Sequence, residues 1–191
     1  MKTPAQNFRL LNFLSVHNFA KSGGFSLIEL LLVISIISIM SAASIPGFRG
    51  YIRSQNVKQS LEQVKSDLRS VQTKAMAGTL SDEANVSYWG VSFVPGRSTY
   101  SNFTVNSSFT GIANQGTSEN LVGDAIVRQS RTIYFSIPVG DAYTSGGTPC
   151  DATGTNCRVI IGATGATGNN CAQIRVNSAG GMFKEEGVDC P

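Results

Sequence analysis

From Leu30 to Ile45 the chain carries no charged side chain. Leu30-Leu31-Leu32-Val33 and Ile34-Ser35-Ile36-Ile37 would be apolar on every side of a helix rather than on one face. Adding Leu27 to Glu29 gives a run that spans about 28 Å at the helical rise, close to a bilayer core. Pro46-Gly47 closes it, and a proline there is predicted to kink or loosen the helix just before it. After Gly50 the pattern changes. Val57, Leu61, Val64, Leu68, Val71 and Ala75 recur at steps of four and three, which is one apolar stripe on an amphipathic helix. Gly78 is placed to stop it. Residues 25–77 therefore read as one long helix, apolar throughout over 25–48 and amphipathic over 49–78.

From residue 86 the period shortens to two. In V-S-Y-W-G-V-S-F-V, Trp89, Val91 and Phe93 share a face. Pro95-Gly96 marks a turn, and Phe103 and Val105 share a face of the returning strand, so 86–106 reads as a hairpin. Next comes S-S-F-T-G-I-A-N-Q-G-T-S-E-N, which reads as a polar loop. Ala125 to Val127, Thr132 to Pro138 and Arg158 to Ile161 read as short strands, with 140–157 between the last two as a loop. G-A-T-G-A-T-G-N-N is turn material rather than a phosphate loop, because no Gly-Lys-Ser/Thr follows. C-A-Q-I-R-V-N and M-F-K-E-E-G-V-D-C flank S-A-G-G as a final hairpin. The fold class expected is α+β: a long N-terminal helix packed on an antiparallel β-sheet head formed by residues 79–191.

The four cysteines lie in the last 42 of 191 residues. An even number clustered behind a membrane-type segment points to disulfides in an oxidising compartment. Cys150 and Cys157 flank a short turn-rich loop whose ends can meet. Cys171 and Cys190 are centred on Gly180-Gly181, which places them opposite each other across the final hairpin if no bulge shifts its register. The pairing expected is Cys150–Cys157 with Cys171–Cys190, one of three possible connectivities.

Formal net charge is +3, unevenly spread. Residues 1–24 hold Lys2, Arg9 and Lys21 and no acid, and read as a cytoplasmic leader. Residues 49–74 carry six basic and two acidic side chains, residues 80–191 six basic and nine acidic. A weakly acidic C-terminal domain argues against nucleic-acid binding there.

Glu29 is the anomaly. A carboxylate inside an apolar span is costly, by about 2.5–3.5 kcal/mol at a helix centre and less near an end, and such residues usually have a partner. Positions one turn away are Phe25, Ser26, Leu32 and Val33. The positive group the chain can supply is an α-amine, created by a cut after Gly24 that leaves Phe25 four residues before Glu29.

K-S-G-G-F-S-L-I-E-L-L-L-V-I-S-I-I resembles the N-terminal signal of type IV prepilins and type II secretion pseudopilins, on Gly24, Phe25, Glu29, the apolar run and Pro46 at its end. The resemblance implies cleavage after Gly24 and N-methylation of Phe25 by a prepilin peptidase, then extrusion into a helical filament. Glu29 would pair with the Phe25 amine of an adjacent subunit. It implies a single-pass inner-membrane protein with its head outside before assembly into a pilus or a periplasmic or extracellular filament. The implied partners are the peptidase, other pilins or pseudopilins, the inner-membrane assembly platform and membrane lipid. No cofactor is implied. The β-rich head, with its Trp89–Phe103 hairpin, is similar to minor pilins and minor pseudopilins of the FimT and GspH type. Some of these bind DNA through Gly-Arg-x-Arg near the C-terminus. Here that stretch is Ala179-Gly180-Gly181-Met182-Phe183-Lys184-Glu185-Glu186, without the arginines, so no nucleic-acid partner is expected.

Two other readings compete. Ser41-Ala42-Ala43 is the kind of small-residue site that signal peptidase uses, and a cut there would release a secreted domain starting at Ser44. A plain membrane-anchored domain is the other. An enzyme is not expected. His17, the one histidine, lies in the leader, so the mature chain would lack the usual general base and imidazole ligand. Asp141 with Asp151, or Glu185 with Glu186, are carboxylate pairs, read as solvated charge. Asp141, Asp151, Asn156 and Asp189 supply oxygen ligands that would suit calcium but lack the spacing of a calcium loop.

Overall fold

The computed structural model describes residues 25–78, 86–109 and 112–191, and leaves out the side chains of 42–47 and 112–115. The chain divides into two units, residues 1–44 and residues 45–191. Helix α1 is assigned over Leu27–Met76. Its start is set by Ser26, whose carbonyl accepts from the Glu29 and Leu30 amides at 3.0 and 3.1 Å. Its end is set by Gly78 at φ +61, the left-handed conformation that a glycine reaches without steric cost.

In the first unit the described surface of α1 is apolar all round. Ser35, Ser38 and Ser41 do not interrupt this chemically, because each hydroxyl donates to a carbonyl of the preceding turn, those of Leu32, Ile34 and Ile37. Among the described residues no helix is long and apolar enough to cross a membrane. The described apolar side chains stop at Ser41. The Pro46 side chain, at which a helix break was expected, lies outside the described ones, and α1 is assigned through it.

In the second unit the strands are β1 (Tyr88–Phe93), β2 (Thr99–Val105), β3 (Ile112–Asn120), β4 (Ala125–Val127), β5 (Arg131–Ser136), β6 (Ala142–Thr144), β7 (Thr148–Pro149), β8 (Arg158–Ala163), β9 (Cys171–Val176) and β10 (Met182–Val188). They form two antiparallel sheets, one ordered β3-β2-β1-β5-β6-β7 and the other β10-β9-β8-β4. The chain crosses to the second sheet for β4, returns to lay β5 beside β1, and crosses again for β8. One core joins them. The stripe Val57, Leu61, Val64, Leu68, Val71 and Ala75 packs with Val91, Phe93, Ile133 and Phe135 from one sheet and Val127, Val159, Ile161, Ile174 and Val176 from the other. The α+β expectation holds: one helical stripe carries the inner faces of both sheets.

The other face of the six-stranded sheet has its own cluster. Gly90 pairs with Phe103 and Tyr134 in register. A Cβ on Gly90 would stand 2.7 Å from the Phe103 ring, so the missing side chain is what lets that ring lie across β1. Tyr134 meets Phe103 edge-on at 5.9 Å and Phe109 at 5.0 Å.

Three expectations need correction. The loop expected over 107–120 contains β3. I-A-N-Q-G-T-S-E-N has no apolar alternation because it is an edge strand, held to β2 by backbone pairing with two irregularities in register. The loop expected over 140–157 contains β6 and β7, too short to show a period. The final hairpin turns around Ala179, not Gly180-Gly181: Val176 pairs with Met182, and Asn177 Oδ1 accepts from the Gly181 amide at 2.6 Å. With the turn there Cys171 would fall opposite Gly187; a bulge at Gly187 moves its partner to Val188, two residues short of Cys190.

Candidate assembly site and its anchoring to the head

Gly24, the residue before the expected cut, lies outside the described residues. Phe25 is the first of them and is 81% exposed. Glu29 sits in the first turn of α1 and is also exposed. That turn presents backbone N–H groups without intrahelical acceptors, a partial positive charge that favours a carboxylate there. Above Glu29 come Leu30, Leu31, Leu32 and Val33, all exposed. The arrangement is one acid at the foot of a segment, residues 27–41, whose other described side chains are apolar except for serines bonded to their own backbone.

In the second unit, polar residues on one edge of α1 bond the β3–β4 connection, two at its backbone and one at a side chain. Gln63 Nε2 donates to the Asn120 carbonyl at 2.9 Å, the Ser60 hydroxyl accepts from the Val122 amide at 2.9 Å, and Asn56 Nδ2 donates to Asp124 at 3.2 Å. Ser60 is fully buried, so its bond is obligatory. Arg53 also pairs with Asp124, at 3.2 Å. The spacing 56, 60, 63 is helical, but the sequence reading followed only the apolar stripe beside it. On the opposite edge Lys58 pairs with Glu186 at 2.8 Å and Glu62 with Lys184. One helical turn matches a two-residue step on β10, with the charges exchanged. The Glu186 hydrogen bond and charge hold the Lys58 ammonium above its ordinary range. Near the end of the helix the Lys74 ammonium lies 5.5 Å from the Trp89 ring centroid.

The remaining sequence candidates are accounted for as follows. Cys150 is joined to Cys157 and Cys171 to Cys190, with Cα atoms 5.5 and 5.3 Å apart. Asp151 and Asn156 organise the short disulfide loop. Asp151 accepts from the Thr155 amide at 2.7 Å and the Thr153 hydroxyl at 3.1 Å, while Asn156 accepts from the Asp151 amide at 2.8 Å. Desolvation pushes the Asp151 carboxyl up, but these hydrogen bonds outweigh it and leave it below the usual range. Asp151 is thus a loop-structuring residue. Among the described residues no group of three or more His, Cys, Asp or Glu could hold a metal ion, so the oxygen set with Asp141 and Asp189 does not assemble. Glu185 and Glu186 do not act as a pair. Glu185 accepts from Gln173 and bridges to Arg175, while Glu186 turns to Lys58. A cleft of about 520 Å³ lies between the 50–58 segment of α1 and the β8–β9 connection. Its two cations, Arg53 and Lys58, are both committed to carboxylates.

Residues 19–45 match the model of the prokaryotic N-terminal methylation motif. The match takes in Gly24, Phe25 and Glu29. The chain is 28% identical over 90 residues to a type IV major fimbrial protein FimA from Dichelobacter nodosus, covering 47% of this chain and 54% of that one. It is 32% identical over 65 residues to a second such protein from the same organism, covering 34% and 41%. The chain thus spans about half the length of the curated relatives it matches. No solved structure matches. Residues 19–45 thus carry an N-terminal methylation motif, and the chain has distant similarity to a type IV major fimbrial protein.

Proposed function

We propose that this chain is a non-catalytic structural subunit of a type IV pilus or type II secretion pseudopilus. A prepilin peptidase cuts it after Gly24 and methylates Phe25. It waits in the inner membrane with residues 25–48 as anchor and 79–191 as a head outside, then enters a filament through that helix. The observation that carries this reading is Glu29, a lone acid in the first turn of the apolar first part of α1 and inside the matched methylation motif. A carboxylate there gains from the helix N-terminus and from a neighbour's Phe25 amine, and it gives a lipid-like surface one point of register. Assembly partners are other pilins or pseudopilins and the inner-membrane platform.

The subunit is proposed to be a minor one, on the likeness of its strand-rich head to that branch, although the matched relatives are named as major subunits. Counting it against other subunits in sheared filaments tests this point. The class itself is tested by the N-terminus of the protein recovered from its native cell. N-methyl-Phe25 supports the reading. A start at Ser44 makes it a secreted β domain, and an uncut chain makes it a simple anchored one.

A further inference from the structure

The outer face of the four-stranded sheet carries a charge arrangement that the filament reading does not use. Val159, Ile161, Ile174, Val176 and Met182 all face the core. Their alternate neighbours Arg158, Arg175 and Phe183 therefore face outward. Arg158 is directly opposite Arg175, and Arg175 directly opposite Phe183. The three form a row across β8, β9 and β10, ending in a half-exposed phenyl ring.

Like charges directly opposite on a sheet destabilise it, because their Cβ atoms lie only about 5 Å apart. Arg175 has a partial partner in Glu185, 3.4 Å from one Nη. Its Nε–H is buried with no acceptor. Arg158 has no ion pair or hydrogen bond to another side chain among the described residues. The row with Glu185 holds two guanidiniums and one carboxylate, an excess of one positive charge. The loop closed by Cys150–Cys157 stands against the same place: a Cβ on Gly154 would lie 2.9 Å from the Arg175 Cβ.

We propose that Arg158 and Arg175, flanked by Phe183, form a binding site for a carboxylate. Guanidinium matches a carboxylate with two parallel N–H donors, and the phenyl ring shelters the pair from water on one side. A single excess charge suits a monoanion, since Glu185 repels a doubly charged phosphate or a polyanion. An acidic side chain of a neighbouring polypeptide and a small free carboxylic acid share this chemistry.

The structural alternative is that both arginines merely cover Ile160, which is 4% exposed although it faces outward. Arginine stems do cover apolar surface in this way. Methionine separates the two roles, since it keeps the stem and removes the charge.

The test uses the full chain in detergent micelles, with the arginine Nε–H signals followed by NMR. Sodium acetate, sodium phosphate and the peptide acetyl-Gly-Glu-Gly-amide are titrated separately, with sodium chloride at matched ionic strength as control. The expected result is saturable shifts at Arg158 and Arg175 with acetate, beyond those in chloride, and about tenfold weaker binding in Arg158→Met. Tighter binding of the peptide than of acetate assigns the site to a polypeptide partner, and equal binding assigns it to free acids. Arg158→Met should melt no lower than the parent, and Arg158→Gln replaces it if it does not fold. No saturable shift beyond chloride, unchanged affinity in the variant, or tighter binding of phosphate than of acetate overturns the proposal.

Discussion

The Tyr100 hydroxyl donates to the Asp67 carboxylate, tying β2 to the helix at the edge of the core. Burial first, and then this bond, raises the Tyr100 phenol far above its ordinary range. Tyr100→Phe leaves Asp67 without its donor and should destabilise the second unit by about 1–3 kcal/mol. The pH dependence follows from the sign of the shift. The folded state keeps the phenol proton where the unfolded chain releases it. The contribution is therefore complete below pH of about 10 and falls as pH rises above that value. Urea unfolding at several alkaline pH values should show a shallower decline in the variant than in the parent. Burial raises the Tyr134 phenol too, so some decline should persist. Parallel curves for the two proteins would refute the account.

The exchanged pairs Lys58–Glu186 and Glu62–Lys184 are partly exposed. Solvent screening keeps the contribution of each small. Glu62→Lys should lower stability slightly, and adding Lys184→Glu should restore it. The double-mutant cycle measures the coupling, which should shrink in high salt. A coupling of zero would mean that the Glu62–Lys184 pair adds nothing to the hold of the helix on β10.

Cys171–Cys190 spans a sequence separation of 19 and Cys150–Cys157 one of 7. In the chain-entropy model the longer loop is worth about 3.3 kcal/mol and the shorter about 2.5. Replacing both cysteines of the longer pair by serine should lower the denaturation midpoint more than replacing those of the shorter. The reverse order would show that the Asp151 hydrogen-bond network depends on its staple. A non-reduced peptide map checks the connectivity itself.

Glu29→Ala should enter the membrane at least as well as the parent, because it removes a carboxylate from an apolar run. It should be found in sheared filaments at a small fraction of the parent level. Normal incorporation would sink the pairing of Glu29 with a neighbour's amine.

Much of the fold was legible because it rests on repeated signals. The Val57–Ala75 stripe persists over five helical steps, and β1 alternates cleanly with a Pro-Gly turn after it. β3 was illegible because an edge strand of polar residues needs only backbone partners, and nothing in its side chains announces them. The register of the final hairpin differs for another reason: the midpoint of two cysteines locates the turn only when they face each other in the ladder, whereas Gly187 adds one residue and Cys190 lies two beyond Val188, the last of β10. Its left-handed φ of +71 is one that a glycine reaches without steric cost, and a glycine inside a strand pattern is the sequence signal for such a bulge. At the assembly end the sequence was richer than the geometry, since Glu29 stands out by chemistry alone. The arginine row was invisible for the opposite reason: Arg158 and Arg175 are 17 positions apart and become neighbours only through the ladder.

The sharing of one stripe by two sheets has a consequence in time. The stripe is synthesised first, and Val176, the last residue of β9 to reach that core, follows Ala75 by about a hundred residues. At about 5–20 residues per second that is a wait of roughly 5–20 s. Throughout it, the six apolar side chains of the helix lack part of their native cover: the six-stranded sheet is complete at β7, but Val159, Ile161, Ile174 and Val176 of the other come last. A nascent chain of this protein therefore leaves one side of that stripe open to solvent until its last core strands are made.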